Sequence, residues 1–140
     1  MDAVLVASAA ATWGMVGVIW MVQLLQYPTL ARASALEPQV AARDHARRIT
    51  WIVGPLMAVE GVTALILLVE RPEAMSVAAA WIAAALLGVA LTSTALIQVP
   101  LHAALAEGHD DDVCRRLITT NWIRTVAWTA RGLVLAVVLV

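Results

Sequence analysis

Four long apolar stretches, parted by short polar connections, decide what this chain can fold into. They run from Ala3 to about Leu25, from Ile49 to Val69, from Val77 to Val99 and from Leu117 to Val140. A bilayer hydrocarbon core of about 30 Å is crossed by roughly 20 apolar residues at 1.5 Å per residue, so each stretch is long enough to span. The rest of the composition agrees: 62% of the 140 residues are hydrophobic and 14% charged, against about 45–50% and 25% in soluble domains. That excludes a soluble enzyme and a disordered linker, and a net charge of -1 offers no basic field for nucleic acid. A single cysteine, Cys114, rules out an internal disulfide framework and a thiolate metal cage. The expected fold is all-α: one domain, residues 1–140, forming an antiparallel bundle of four transmembrane helices in the lipid bilayer.

The connections sharpen this expectation. Asp2 stands where a signal peptide would carry basic residues, so the first stretch reads as a span rather than a cleaved leader. Glu70-Arg71-Pro72-Glu73 is short and polar and makes the second and third spans antiparallel neighbours. The segment 26–48 opens with Tyr27-Pro28, a helix-breaking dipeptide, and Ser34-Ala35-Leu36-Glu37 has capping-box spacing. A short interfacial helix from about Ala35 follows. Asp110-Asp111-Asp112 reads as a solvated helix start. No internal repeat stands out. Arg32, Arg43, Arg47, Arg48, Arg115 and Arg116 lie on one side and Arg71 alone on the other. The positive-inside rule then puts both longer connections in the cytoplasm and both termini outside the cell (inner) membrane.

The polar residues that interrupt the spans are the candidate functional groups, because a charge at the bilayer centre costs about 2.5–3.5 kcal/mol on insertion scales and persists mostly in bundle interiors. Glu60 lies 14 residues beyond Ala46 and Arg131 14 beyond Leu117, each roughly 20 Å deep at 1.5 Å per residue. The two are expected to pair, as a contact that sets helix register or as part of a site. Pro55, five residues before Glu60, is expected to kink the second span.

A second set gathers nearer the arginine-rich end. At 100° per residue, Trp13, Val16, Trp20, Gln23 and Tyr27 share a face of the first span, and His45, Arg48, Ile52, Leu56 and Glu60 a sector of about 120° of the second. Thr94, Gln98 and, if the helix continues past Pro100, His102 align on the third; Asn121, Arg124, Thr125, Trp128 and Arg131 on the fourth. Convergence of these stripes makes a polar-aromatic pocket near the cytoplasmic leaflet, suited to a quinone, a polycyclic aromatic or a lipid head group. Gln23, Tyr27, Gln98, Asn121, Arg124 and Trp128 are the candidate ligand-binding residues. Interfacial anchoring is the competing explanation for Gln23, Asn121 and Arg124, and the expected role of Trp51 and Trp122. His45 and His102, titrating near neutrality, are candidate proton donors or acceptors. No span carries His and carboxylate at metal-ligand spacing, so no metal is expected. Gly14, Gly17 and Gly88 suit close helix packing.

Val99-Pro100-Leu101-His102 followed by Asn121-Trp122-Ile123-Arg124-Thr125, with Tyr27-Pro28 after the first span, resembles the anthrone-oxygenase-like family of small four-helix membrane proteins. That family has a Val-Pro-Leu-Asn segment ending helix three and a Trp/Asn/Arg cluster opening helix four; this chain has His102 in place of the Asn and adds Glu60 and Arg131. The resemblance implies a membrane-embedded oxygenase acting on a reduced aromatic without metal or flavin. His102 or His45 would be its base, and Asn121, Gln98 and Arg124 the holders of an oxyanion. Two other readings stand beside it: an accessory subunit of a larger membrane complex or homo-oligomer, and a transporter or channel subunit using Glu60 and Arg131.

Overall fold

The computed structural model describes residues 2–29, 38–108 and 110–140, with the side chains of 38–42 and 45 excepted. The described residues are helical apart from short turns. Four helices are long and apolar enough to cross a membrane: α1, Ala3–Thr29; α2, Pro38–Val69, of which Ala46–Val69 is the apolar span; α3, Val77–Glu107; and α4, Asp111–Leu139. Their starts follow from local chemistry. Asp2 accepts from the amides of Val4 and Leu5, Ser76 from that of Ala79, and Asp110 from those of Asp112 and Val113, satisfying amides that a first turn leaves without partners. Residues 30–37 and 109 fall outside the description, and with them the interfacial helix expected from Ala35; α2 is already helical at Pro38.

The helices run past the expected boundaries at Pro28 and Pro100. Each proline follows a five-residue π turn, Val22–Gln26 in α1 and Thr94–Gln98 in α3, and then one residue, Tyr27 or Val99, whose amide bonds five residues back. A proline ring in an α-helix clashes with the carbonyl four residues earlier. The widened π turn accommodates it, so the helix continues where the dipeptide signal predicts a break. The same device, Gln-X-Pro behind a π turn, thus occurs at Gln26–Pro28 and Gln98–Pro100, a local correspondence too short to register as a sequence repeat.

Backbone contacts form a closed ring: α1 packs on α2 and α4, and α3 packs on α2 and α4. The interior is layered. Leu5, Ala9, Leu67, Met75, Ala80, Ala83 and Leu135 form one apolar end. Met15, Val16, Ile19, Ala90, Ala127 and Trp128 form the middle. Val22, Tyr27, Leu101, Leu105, Cys114 and Leu117 form the other end. Polar layers lie between them. Of the six tryptophans only Trp128 is buried; Trp13, Trp20, Trp51, Trp81 and Trp122 are exposed, as are the valines, leucines and isoleucines of the outer faces.

The inward face of α1 matches the expected one in part: Val16, Gln23 and Tyr27 are buried, and the two indoles are not. Its centre is Ser8, Thr12, Met15 and Ile19, all nearly inaccessible, while Trp13 and Trp20 are 43% and 37% exposed at its edge. Ser8 and Thr12 take the half of this face nearest Glu60 and Arg131, where their hydroxyls are hydrogen-bonded, and the wide indoles lie at the seam. On α2, Arg48 lies about 120° around from Glu60 and turns outward to Asp44 at 2.9 Å; Ile52 is likewise exposed.

The glycines expected at helix contacts divide. A Cβ at Gly17 or Gly88 meets open space, one at Gly14 touches Leu56 at 3.4 Å, and the tightest position is Gly132, where it meets the Trp13 ring at 3.3 Å. Gly132→Val should therefore destabilise the protein by about 1–3 kcal/mol through overpacking, whereas Gly88→Ala should be neutral or stabilising by up to about 1 kcal/mol. Thermal unfolding in mild detergent measures both; a Gly132 variant as stable as wild type contradicts the packing of Trp13 on α4.

Candidate functional site

The first polar layer joins all four helices at one depth. Glu60, fully buried on α2, accepts at Oε1 from the Thr12 hydroxyl at 2.7 Å and at Oε2 from Trp128 Nε1 at 3.0 Å. Arg131 Nε stands 3.5 Å from Glu60 Oε1 and donates to Thr12 Oγ1 at 3.1 Å. Its Nη1 donates to the Ala83 carbonyl at 2.6 Å and its Nη2 to Ser8 Oγ at 3.0 Å. The structure thus brings Glu60 and Arg131 together. Each charge is solvated by protein dipoles rather than by its partner alone, the condition under which a buried pair is tolerated. Composition and spacing single out neither Ser8 nor Thr12, although they are the only hydroxyl side chains between Ala3 and Met21 and stand four residues apart, which places them on one face.

The second layer lies one apolar layer away. The Tyr27 hydroxyl donates to Gln98 Oε1 at 3.2 Å and lies 3.0 Å from His102 Nε2, with the two rings edge-on at 5.5 Å. The direction of the Tyr27–His102 hydrogen bond follows the tautomer of the imidazole. Gln98 Nε2 donates to Thr120 Oγ1 at 2.9 Å, and that hydroxyl to the Arg116 carbonyl at 2.6 Å. Asn121 Nδ2 donates to Gln23 Oε1 at 2.8 Å, and Gln23 Nε2 to the Ile118 carbonyl at 3.2 Å. Both π turns sit here and set the direction of Gln23, Tyr27, Gln98 and His102; such turns are frequent at functional sites.

A cavity of about 400 Å³ opens beside this layer. Its floor is buried: Met15, Ile19, Val22, Tyr27, Gln98 and Arg124. Its mouth is exposed and lies between α2 and α3, at Arg43, Thr50, Val99 and Ala103. Ala46, Ile49 and Val53 form the α2 wall, and Thr94 and His102 line the α3 side. Of the candidate ligand-binding residues, Tyr27, Gln98 and Arg124 line this cavity; Gln23, Asn121 and Trp128 are not among its lining residues. Gln23 and Asn121 are bonded to each other, and the Trp128 indole N–H is committed to Glu60. Of the two candidate bases, His102 lines the cavity, while the side chain of His45 lies outside the described residues, as does His109. Among the described residues no three His, Cys, Asp or Glu side chains gather as a metal-ligand set.

Arg124 connects the layers. Its guanidinium carbon sits 5.3 Å from the centre of the Trp128 ring, whose N–H serves Glu60, and it also interacts with the Tyr27 hydroxyl. It is 7% exposed, and its Nε has no hydrogen-bond partner among the described residues. Among the described residues no carboxylate pairs with it: the side-chain ion pairs are Arg48–Asp44, Arg115–Asp112 and Arg131–Glu60. A cation over a ring contributes about 0.5–2 kcal/mol, less than the cost of holding a charge at membrane depth.

Searches against protein-family models, curated proteins and solved structures find no match to this chain.

The mid-bundle pair makes a direct prediction. Glu60→Gln leaves Arg131 charged and without its counter-ion, and should cost about 3–5 kcal/mol; the double variant Glu60→Leu with Arg131→Met should cost clearly less. Unfolding of both in detergent measures the difference, and a double variant as damaged as the single one refutes direct coupling.

Proposed function

We propose that this chain is an antiparallel four-span protein of the cell (inner) membrane that binds a lipophilic aromatic or quinone-like molecule in the cavity between α2 and α3. On this reading the arginine-rich end and both longer connections are cytoplasmic, a short interfacial helix opens near Ala35, and both termini lie outside the cytoplasm. The observation that carries the binding proposal is the hydrogen-bonded set Tyr27, Gln98 and His102 lining a cavity whose other walls are mostly apolar. A ring system is held by the apolar walls, and its oxygens by a few placed donors and acceptors. The cavity favours this reading over that of an accessory subunit, whose polar residues would serve only to hold helices in register. A mouth between two spans lets an apolar ligand enter from the hydrocarbon.

The same set permits the oxygenase chemistry implied by the resemblance at Val99–His102 and Asn121–Thr125. His102 would take a proton from the activated CH₂ of a reduced aromatic, leaving an electron-rich carbanion. Gln98 and Arg124 would hold the charge that moves onto the ring oxygen. Dioxygen is the oxidant: one of its atoms becomes the new carbonyl and the other leaves as water with the two hydrogens of the CH₂. Asn121, bonded to Gln23 behind the wall, would orient rather than contact the substrate.

Two experiments test these steps separately. Binding of 2-methyl-1,4-naphthoquinone to protein purified in mild detergent, followed by tryptophan fluorescence, should be saturable. Tyr27→Phe should weaken it by about tenfold, the value of one hydrogen bond of roughly 1–1.5 kcal/mol; absence of saturable binding refutes the pocket. Anthrone under air should give anthraquinone faster with protein than without, and His102→Gln should lower that rate by about 10²–10⁴. No acceleration by the unaltered protein removes the oxygenase step and leaves the binding proposal to the first test.

A further inference from the structure

The geometry points to a ligand with an ionised oxygen on an apolar body, and we infer that Arg124 receives that oxygen at the floor of the cavity. The inference rests on the pocket proposed above and adds the charge of its occupant. Arginine keeps its proton in any protein environment, so Arg124 is a permanent cation on the cavity floor, 7% exposed. The buried carboxylate that faces the bundle interior, Glu60, is already engaged by Arg131, Thr12 and Trp128. Among the described residues Arg124 Nε has no hydrogen-bond partner, while the Trp128 ring covers one side of the guanidinium. A carboxylate or similar anion entering from the mouth completes this arrangement: it meets a charged N–H donor that nothing in the described chain uses, with the Tyr27 hydroxyl beside it. Charge-assisted contacts of this kind are the strong members of the hydrogen-bond class. The apolar body of the same molecule lies along Ile49 and Val53 of α2 and Val99 of α3. A second arginine, Arg43, stands at the mouth, where it attracts the anion but is exposed to solvent.

The test compares two probes with one ring system, 2-naphthoate and the neutral 2-acetylnaphthalene, by equilibrium dialysis at pH 8 against full-length protein in dodecyl maltoside. Partition into micelles cancels between wild type and variant. Wild type should bind naphthoate about tenfold or more tighter than does Arg124→Gln, while the ketone binds both within about twofold. Arg124→Lys should retain part of the preference, and Arg48→Gln, outside the cavity, all of it. Retained ketone binding certifies that the variant is folded. Should Arg124→Gln fail to fold, the wild-type protein alone decides, by whether naphthoate raises its melting temperature more than the ketone does. Equal naphthoate binding by wild type and Arg124→Gln, or a preference abolished by Arg43→Gln instead, overturns the inference. If the ketone binds wild type and naphthoate binds no better, the inference falls while the pocket stands; if neither binds, both fall. In phosphatidylcholine nanodiscs, displacement of naphthoate by phosphatidate identifies an acidic lipid head group as the natural anion. Its failure to displace identifies a free acidic amphiphile.

Discussion

The Glu60–Arg131 node is the constraint around which the bundle is arranged. Two charges within apolar spans are tolerated only if every polar atom finds a partner, and here the partners come from all four helices: Ser8 and Thr12, Glu60, the Ala83 carbonyl, Trp128 and Arg131. Among the described residues the main backbone packing joins the helices around the ring. The node spans the α2–α4 diagonal, which holds side chains at defined heights as well as defined faces. Apolar packing alone would leave the helices free to slide, because lipid tails are as apolar as leucine.

With that height set, the second diagonal falls into place. Tyr27 on α1 reaches Gln98 and His102 on α3 across the ring, and both helices are widened by π turns at that level. The local widening has two effects from one cause. It lets each helix pass its proline, and it turns long polar side chains inward where an α-helix would carry them past one another. The cavity adjoins this level, bounded by the π turn of α3 and by the side of α2 that holds Ala46, Ile49 and Val53. Trp128 couples the two diagonals, with its N–H on Glu60 and its ring beneath Arg124. A change at the mid-bundle node is therefore felt at the floor of the cavity.

The four spans, the acidic start of α4 and the inward alignment of Asn121, Arg124, Thr125, Trp128 and Arg131 were all legible in the sequence, since each depends on neighbours a few residues away. The meeting of Glu60 with Arg131 was legible too, from equal depth. Less was legible within each face. On α1 the stripe was right at Val16, Gln23 and Tyr27 and wrong at Trp13 and Trp20, and it left out Ser8 and Thr12, whose hydroxyls are drawn inward by Arg131 and Glu60. Arg48 was grouped with Glu60 by a sector too broad to separate inside from outside. Gln23 and Asn121 belong to the right layer, but Gln23 is spent on Asn121 Nδ2 and the Ile118 carbonyl, and only the buried Oδ1 of Asn121 is left without a hydrogen bond among the described residues, which no spacing rule reveals.

What the sequence by itself determined is the number of spans, their apolar outer surfaces and the depth of each buried charge. Hydropathy, helical rise and the cost of charge in hydrocarbon are local quantities, read one segment at a time. Only the tertiary structure decided which polar atoms are spent and which are left over: that Glu60 is consumed by Arg131, that Trp128 serves as a brace, and that Arg124 stands at a cavity with no carboxylate paired to it among the described residues. Each N–H or O–H hydrogen and each acceptor lone pair has a limited capacity, so what remains for a ligand is known only after the internal pairs have been made.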